Sequence, residues 1–234
     1  MERGILYGVG VGPGDPELMT LKAVRVLEEV PVICLPKLCR EECRAYRIAV
    51  SAVPELEQKE FLCFDFEMIP YGEALREKHR KIFEIVREHL DKGRSLAFLT
   101  IGDPTIYASF SYLAKLARMG GYKVEWVNGV TSFCACAAEC GISLCEGDEE
   151  LHLISGQENP EEALCLSGTK ILMKSGRRMS KIKEELLRME NQQNVEIYAV
   201  QECGTEKEKI YEGALEIPEE PGYMTTILIK TEKD

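Results

Sequence analysis

Gly8-Val-Gly-Val-Gly-Pro-Gly-Asp15 decides the fold, and it continues an apolar segment that begins at Ile5. That segment predicts a short buried strand, and residues 17–29 carry apolar side chains at helical spacing. Glycine at alternate positions lets the backbone turn tightly and approach a ligand, while Pro13 fixes one dihedral angle. The sequence therefore predicts a strand, a turn that is either structural or ligand-binding, and a helix capped by Asp15.

The first half of the chain continues this alternation. Further strands are predicted at residues 32–35, 96–100 and 123–127, and amphipathic helices at residues 71–92 and 105–119. Alternating strands and helices are typical of a parallel sheet that is covered on both faces. The predicted fold class is therefore α/β.

The pattern changes after residue 128. A helix of small residues at 131–140 and a helix at 180–190 accompany strands predicted at 151–154, 171–174, 195–200 and 226–229. The chain then ends in a strand without a returning helix, which favours a mixed sheet. We predict two α/β domains, residues 1–127 with a mainly parallel sheet and residues 128–234 with a mixed one.

Composition limits the possible functions. The 234 residues are 45% hydrophobic and 29% charged, which is typical of a globular protein. No apolar run approaches the roughly 18 residues of a membrane span. The charged residues Glu2 and Arg3 directly precede the first predicted strand, a pattern unlike that of a signal peptide, so we expect a cytoplasmic protein. The net charge of −11 disfavours a nucleic-acid partner and favours a small-molecule substrate.

The ten cysteines favour free thiols over a disulfide framework, because the chain is mid-sized and has no export signal. Three pairs lie close in sequence, but none has the Cys-x-x-Cys spacing of a zinc or iron–sulfur site. The pairs are Cys39/Cys43, Cys134/Cys136 and Cys140/Cys145. We therefore predict no metal site and interpret the cysteines as small buried apolar residues.

Two nucleotide-binding motifs are excluded at the glycine-rich turn. A dinucleotide fingerprint fails at its third glycine, because that position holds Pro13 when counted from Gly8 and Asp15 when counted from Gly10. A P-loop also fails, since no Gly-Lys-Ser or Gly-Lys-Thr follows. A nicotinamide oxidoreductase remains a disfavoured alternative.

Two further motifs follow predicted strands. Gly102 permits close backbone approach, and Asp103 is suited either to cap the next helix or to accept hydrogen bonds from a ligand. Thr131 and Ser132 follow the fourth strand and either cap a helix or donate hydroxyls to a ligand. Open α/β sheets bind ligands at the carboxyl ends of their strands, so we expect these motifs in one crevice.

The three motifs together resemble those of the tetrapyrrole methylases, and the resemblance covers essentially the whole chain. It lies in residues 8–23, in Gly102-Asp103-Pro104 and in the Gly-Val-Thr-Ser segment at 129–132. The resemblance implies two α/β domains that bind S-adenosylmethionine in the cleft between them. It places the N-terminal domain on the tetrapyrrole side and the C-terminal domain on the cofactor side, and implies a homodimer.

Within the family, residues 102–107 and 130–138 are most similar to the enzymes that methylate carbon 20 of precorrin-2 or cobalt-factor II in cobalamin biosynthesis. The metal-free and the cobalt-containing substrate both remain open. The alternatives are a family member acting on another ring carbon or on a protein or RNA target, and a sensor that binds the cofactor without transferring its methyl group.

The resemblance also implies cofactor-binding residues. Asp103 and Ile106 are implied contacts of the ribose and methionine parts, and Thr131 with Ser132 of the methionine end. Met173 resembles the position that packs on the adenine, and the backbone of Cys203 the position that contacts that base. The remaining implied contacts are Pro13, Gly102, Tyr107, Thr225 and Thr226.

The substrate side is less strongly marked. Gly12 and Asp15 border the implied tetrapyrrole trough, and a polyanionic substrate requires local cations, for which Lys37, Arg40 and Arg44 are candidates. The sequence does not identify a catalytic residue; the candidate proton acceptors are Asp103, Tyr107 and solvent. Asn128 stands where the family usually has proline, and Ala108 where serine is common.

Overall fold

The protein is described by a computed structural model that covers residues 2–66, 72–155, 160–174, 179–192 and 195–231. Contacts divide the chain into two compact units, Met1–Thr131 and Ser132–Asp234, compared with a sequence-based division after residue 127. Each unit is built around a five-stranded sheet.

The N-terminal unit has an entirely parallel sheet in the order β3-β2-β4-β1-β5. Its strands are β1 (Leu6–Gly10), β2 (Val32–Leu35), β3 (Glu60–Cys63), β4 (Leu96–Thr100) and β5 (Val124–Val127). Its helices are α1 (Leu21–Glu29), α2 (Arg44–Ala52), α3 (Glu73–Asp91) and α4 (Phe110–Met119), with short 3-10 helices at Pro16–Leu18 and Pro54–Gln58. The predicted parallel α/β sheet is confirmed.

Successive residues of β4 point to opposite faces of this sheet and build two apolar layers. Ala97 and Leu99 pack with residues of α1 and α2 on one face. Leu96 and Phe98 pack with residues of α3 and α4 on the other. Because helices cover both faces of the sheet, we expect a ligand at the carboxyl ends of its strands.

The C-terminal unit has a mixed sheet in the order β6-β7-β10-β8-β9, as predicted. Its strands are β6 (Leu151–Ser155), β7 (Thr169–Met173), β8 (Val195–Gln201), β9 (Lys209–Glu212) and β10 (Thr225–Thr231), and its helices are α5 (Ser132–Glu139), α6 (Pro160–Leu164) and α7 (Met179–Gln192). Only β6 and β7 pair in parallel; the other pairs are antiparallel. Met179, Ile182, Leu186 and Met189 of α7 recur at helical spacing and are buried in its core.

Two predicted helix starts are wrong. The helix predicted from residue 105 begins only at Phe110, and the helix predicted from residue 17 is a 3-10 turn followed by α1 at Leu21. The sequence also did not reveal α2, α6, or the edge strands β3 and β9.

No helix in the described part of the chain combines the length and the apolar character needed to cross a membrane. Within the same ranges, no three His, Cys, Asp or Glu side chains are grouped so that they could hold a metal ion. All ten cysteines are free, and Cys34, Cys43, Cys136 and Cys203 are buried.

Candidate functional site

Three glycine-containing loops meet where the parallel strands of the N-terminal sheet have their carboxyl ends. Strand β1 lies between β4 and β5, so the loops that follow these strands are neighbours. A Cβ atom added to Gly10 would lie 2.5 Å from the carbonyl oxygen of Gly102, and one added to Gly129 would lie 2.2 Å from the same oxygen. The three backbones are therefore packed so closely that only glycine fits at positions 10 and 129.

The first two of these loops are also joined by backbone hydrogen bonds. The Gly102 N–H donates to the Gly12 carbonyl at 2.8 Å, and the Gly12 N–H donates to the Gly102 carbonyl at 3.4 Å. Both glycines have positive φ, 78° at Gly12 and 69° at Gly102, a region that side-chain-bearing residues rarely adopt. The predicted convergence of the first two motifs is thus present in the backbone itself.

Asp103 joins the loop after β4 to the loop after β5. Its Oδ1 accepts hydrogen bonds from the Thr105 N–H at 2.8 Å and the Thr105 hydroxyl at 2.5 Å. Its Oδ2 accepts from the Asn128 side-chain amide at 3.1 Å and the Gly129 N–H at 3.0 Å. Burial raises the pKa of Asp103, but these hydrogen bonds outweigh it and hold that pKa below its ordinary value.

The first loop is fixed by two helix caps. Asp15 accepts a hydrogen bond from the Glu17 N–H at 2.8 Å, which makes it the cap of the 3-10 helix. Thr20 caps α1 by accepting from the Ala23 N–H at 3.2 Å, and its hydroxyl donates to the Asn128 carbonyl at 3.2 Å. Pro13 is buried, and in the sequence it lies between β1 and these two caps.

Two hydroxyls in the N-terminal unit are unsatisfied. The Oγ1 atoms of Thr100, at the end of β4, and of Thr131, after β5, are buried and have no hydrogen-bond partner among the described residues. Buried hydroxyls are nearly always paired in native proteins, so both are candidate ligand contacts. Thr131 was predicted from the sequence; Thr100 was not, because one threonine at a strand end has no distinctive pattern.

Tyr107 lies on the loop between β4 and α4. Its side chain is 48% exposed and its φ is +47°. Ile106 is half-buried beside it. A bulky residue in the left-handed region is uncommon and tends to occur at functional sites.

In the C-terminal unit, strand pairing brings several predicted residues together. Thr226 of β10 lies opposite Met173 of β7, and Ser132 of α5 lies with its Oγ 3.3 Å from the Thr226 hydroxyl oxygen. Cys136 lies one turn after Ser132, and the pKa of its thiol is raised by its neighbour Cys203 and by burial, while Thr226 opposes the shift. Five predicted cofactor residues, Ser132, Met173, Cys203, Thr225 and Thr226, thus belong to one region of this unit.

Left-handed backbone occurs in this region as well. Lys174, directly after Met173, has φ +60°, and Glu202, directly before Cys203, has φ +55°. Together with Tyr107, they are the positive-φ residues other than glycine in the described ranges. Each one is adjacent to, or is itself, a residue predicted to contact the cofactor.

The candidate cations for the substrate follow β2, which neighbours β4. Lys37 is exposed, whereas Arg40 forms an ion pair with Glu41 at 2.8 Å and lies over the Phe61 ring at 5.5 Å. Arg44 begins α2 and is half-buried. These residues therefore follow a strand that ends at the same edge of the sheet as the three loops.

Comparisons with known proteins match this arrangement. A family model described as tetrapyrrole (corrin/porphyrin) methylases matches residues 5–218. A Methanocaldococcus jannaschii protein named probable cobalt-precorrin-2 C(20)-methyltransferase is 35% identical over 96% of this chain and 95% of its own length. A Sinorhizobium precorrin-2 C(20)-methyltransferase is 31% identical over 78% of each chain.

A solved structure is similar over the same length. The crystal structure of uroporphyrin-III C-methyltransferase from Thermus thermophilus complexed with S-adenosylhomocysteine has 25% identity and a TM-score of 0.70, covering 97% of each chain. The matched family model covers most of the chain, and the first of the two sequence relatives is matched over nearly its full length. This protein belongs to the tetrapyrrole (corrin/porphyrin) methylase family.

Proposed function

We propose that this protein transfers the methyl group of S-adenosylmethionine to carbon 20 of precorrin-2 or cobalt-factor II, in the biosynthesis of cobalamin. The observation that carries the proposal is the convergence of the Gly12, Gly102 and Gly129 loops at one sheet edge, in a member of this family. Two relatives similar over most of the chain bear C(20)-methyltransferase names.

The residues present fit the cofactor. We assign its contacts in the N-terminal unit to Pro13, Gly102, Asp103, Ile106, Tyr107 and Thr131, and those in the C-terminal unit to Ser132, Met173, Cys203, Thr225 and Thr226. The unsatisfied Thr131 hydroxyl and the side-chain-free backbone at Gly102 support this assignment. When bound, the cofactor supplies an electrophilic methyl group on its sulfonium.

The chain's own contribution to the reaction is mainly to hold and orient the reactants. Bringing an electron-rich ring carbon in line with the methyl group accounts for about 7–11 kcal/mol of barrier lowering. The tightly packed loops provide a rigid backbone for this purpose. The proton on the methylated carbon then leaves to an acceptor, for which Asp103, Tyr107 and solvent are the candidates.

We assign substrate binding to Gly12 and Asp15 at the glycine-rich loop and to Lys37, Arg40 and Arg44. With a net charge of −11, the protein repels a polyanion at long range, so these cations have to act locally. Lys37 is the most exposed of the three and is the best one to test.

We predict that Lys37→Glu raises the KM for the tetrapyrrole about tenfold with little change in kcat, because a local attraction becomes a repulsion. Initial-rate kinetics at several substrate concentrations measure it. Lys92→Glu is the matched control, since Lys92 is exposed and precedes β4 at the opposite edge of the sheet. An unchanged KM in Lys37→Glu would remove this residue from the substrate site.

The decisive experiment is anaerobic incubation with labelled S-adenosylmethionine and either precorrin-2 or cobalt-factor II, followed by mass spectrometry and by NMR of the product. We expect one added methyl group, at carbon 20. A methyl group at another carbon would indicate another activity within the family. Cofactor binding with no transfer to either substrate would instead indicate a sensor.

We also propose that the protein is a cytoplasmic homodimer, as the resemblance implies. Size-exclusion chromatography with light scattering measures the mass directly. A mass near the 26.4 kDa of one chain would contradict the dimer.

A further inference from the structure

The carboxylate of Asp103 is fully occupied inside the N-terminal unit. An ionised carboxylate offers about four lone-pair directions, two on each oxygen. Thr105 fills those of Oδ1, and Asn128 with Gly129 fills those of Oδ2. A ligand hydroxyl or a departing proton would have to displace one of these internal hydrogen bonds.

Among the partners of the Asp103 carboxylate, Asn128 is the one whose side chain comes from another loop, the loop after β5. Its amide donates to Asp103 of the β4 loop, and its backbone carbonyl accepts from Thr20, which caps α1. Asn128 therefore connects the loop after β5 with both neighbouring chain segments. Gly129, whose backbone touches Gly10 and Gly102, is the next residue.

We propose that Asn128 and Asp103 are positioning residues, whose amide–carboxylate pair ties the β5 loop to the β4 loop and thereby sets the backbone that contacts the cofactor. The inference rests on the proposed function and deepens it. The cofactor is then met by the backbone of Gly102 and Asp103 and by the Thr131 hydroxyl, while the Asp103 carboxylate holds that backbone in place and does not accept the proton.

Few other titratable groups belong to these loops. The loop after β1 contributes Asp15, whose carboxylate is engaged by the Glu17 N–H, and the loop after β4 contributes Tyr107. The loop after β5 contributes none, and α1 contributes Lys22 near its start. The shift of the Asp103 pKa arises from burial and from the hydrogen bonds of Thr105, Asn128 and Gly129.

Asn128→Asp gives a pH-dependent test. Two carboxylates at hydrogen-bond distance cannot both ionise easily, so the pKa of one is raised. When that group is protonated, its O–H donates to the other carboxylate and replaces the lost amide. We expect the variant to bind S-adenosylhomocysteine about as well as wild type near pH 5 and about tenfold more weakly near pH 8.

Isothermal titration calorimetry with S-adenosylhomocysteine measures these affinities. The wild type should show no comparable change, because Asn128 does not titrate and Asp103 stays ionised. Asn191→Asp is the matched control: Asn191 lies on α7 in the C-terminal unit, and its amide donates to the Leu187 carbonyl of the same helix. A pH-independent affinity in Asn128→Asp overturns the inference.

Asp103→Asn separates positioning from proton transfer. We expect a weaker affinity for S-adenosylhomocysteine and a correspondingly higher KM for the cofactor, and thermal unfolding shows that the variant is folded. A large loss of kcat with unchanged affinity would make Asp103 the proton acceptor and overturn the inference. If the wild type does not bind S-adenosylhomocysteine, the proposed function itself fails; if it binds and only the variants disagree, the inference alone fails.

Discussion

Gly8, in the middle of β1, leaves room for the ring of Phe110. A Cβ atom at Gly8 would lie 2.2 Å from two ring carbons of Phe110, well inside van der Waals contact. Phe110 is fully buried and also packs edge-on against Trp126, with ring centroids 4.7 Å apart. The ring cannot move away without disturbing the layer between the sheet and α4.

We predict that Gly8→Ala lowers the free energy of unfolding by about 1–3 kcal/mol, as overpacking of a core does. Urea denaturation measures the change. Phe110→Leu should partly rescue it, so that the double variant loses less stability than the two single variants added together. Strict additivity would show that Phe110 is not the obstacle.

Lys170 of β7 is buried in the C-terminal sheet, where its amine donates a hydrogen bond to Thr231 at 3.3 Å. Burial lowers the pKa of Lys170, and Cys165 partly opposes this. The native state thus disfavours the charged amine relative to the unfolded chain. This cost is present in full below the native-state pKa and disappears as pH rises past the unfolded pKa, about 10.4.

We predict that Lys170→Met raises the free energy of unfolding by about 1–3 kcal/mol at neutral pH, because it removes an amine whose charged form is disfavoured by burial. The gain should shrink as pH approaches 10. Denaturation curves at several pH values measure it, with Lys209→Met of the exposed edge strand as the control. A gain that stays constant with pH would mean that the amine is not the cause.

At the scale of elements, the strands that were predicted at their observed bounds are continuous apolar runs. Residues 32–35 and 96–100 are such runs because both faces of a parallel sheet are buried. The edge strands β3 and β9 are more exposed and carry charged residues, so they have no such pattern. The sequence therefore missed these two edge strands, while the other two, β5 and β6, were predicted within one residue of their bounds.

The start of helix α4 could not be predicted from the sequence. Residues 105–109 suit a helix, but Asp103 accepts hydrogen bonds from the Thr105 N–H and hydroxyl, and Tyr107 takes a left-handed conformation. Local side-chain bonds of this kind compete with helix formation. Asp103 also accepts hydrogen bonds from Asn128 and Gly129 in the loop after β5. The periodicity of the sequence contains no information about contacts between distant segments.

The cap of α1 by Thr20 gives a prediction about stability. Because it caps α1 and also reaches Asn128, we expect Thr20→Ala to cost about 1 kcal/mol of stability or slightly more. Thr20→Ser keeps the hydroxyl and should stay close to wild type. Chemical denaturation compares the two, and equal losses in both variants would exclude the hydroxyl as the cause.

At the scale of the whole molecule, the two sheets differ in how well the sequence predicts the site. In the N-terminal unit the motifs follow strands directly, so parallel strand order alone brings Gly12, Gly102 and Gly129 to one edge. In the C-terminal unit the neighbours Met173 and Thr226 are far apart in sequence and meet through an antiparallel pair. Their roles were inferred from family resemblance alone.

We predict that all ten cysteines titrate with a thiol reagent after denaturation without reductant. In the native protein the exposed Cys134, Cys145 and Cys165 should react first. The half-buried Cys39, Cys63 and Cys140 should follow, and the four buried cysteines should react last, among them Cys34, whose pKa is raised by burial. Timed labelling with mass spectrometry identifies each site. Fewer than ten thiols in denaturant would reveal a disulfide.

The packing of Gly10, Gly102 and Gly129 has a consequence for laboratory evolution. A library randomised at these three codons should return glycine almost exclusively, since alanine at position 10 or 129 would overlap the Gly102 carbonyl oxygen and Gly102 itself has φ +69°. Codons for exposed residues outside the proposed site, such as Lys92, should instead tolerate many amino acids. A search for variants that accept other macrocycles is therefore best confined to positions whose side chains, and not their main chain, shape the edge of the sheet.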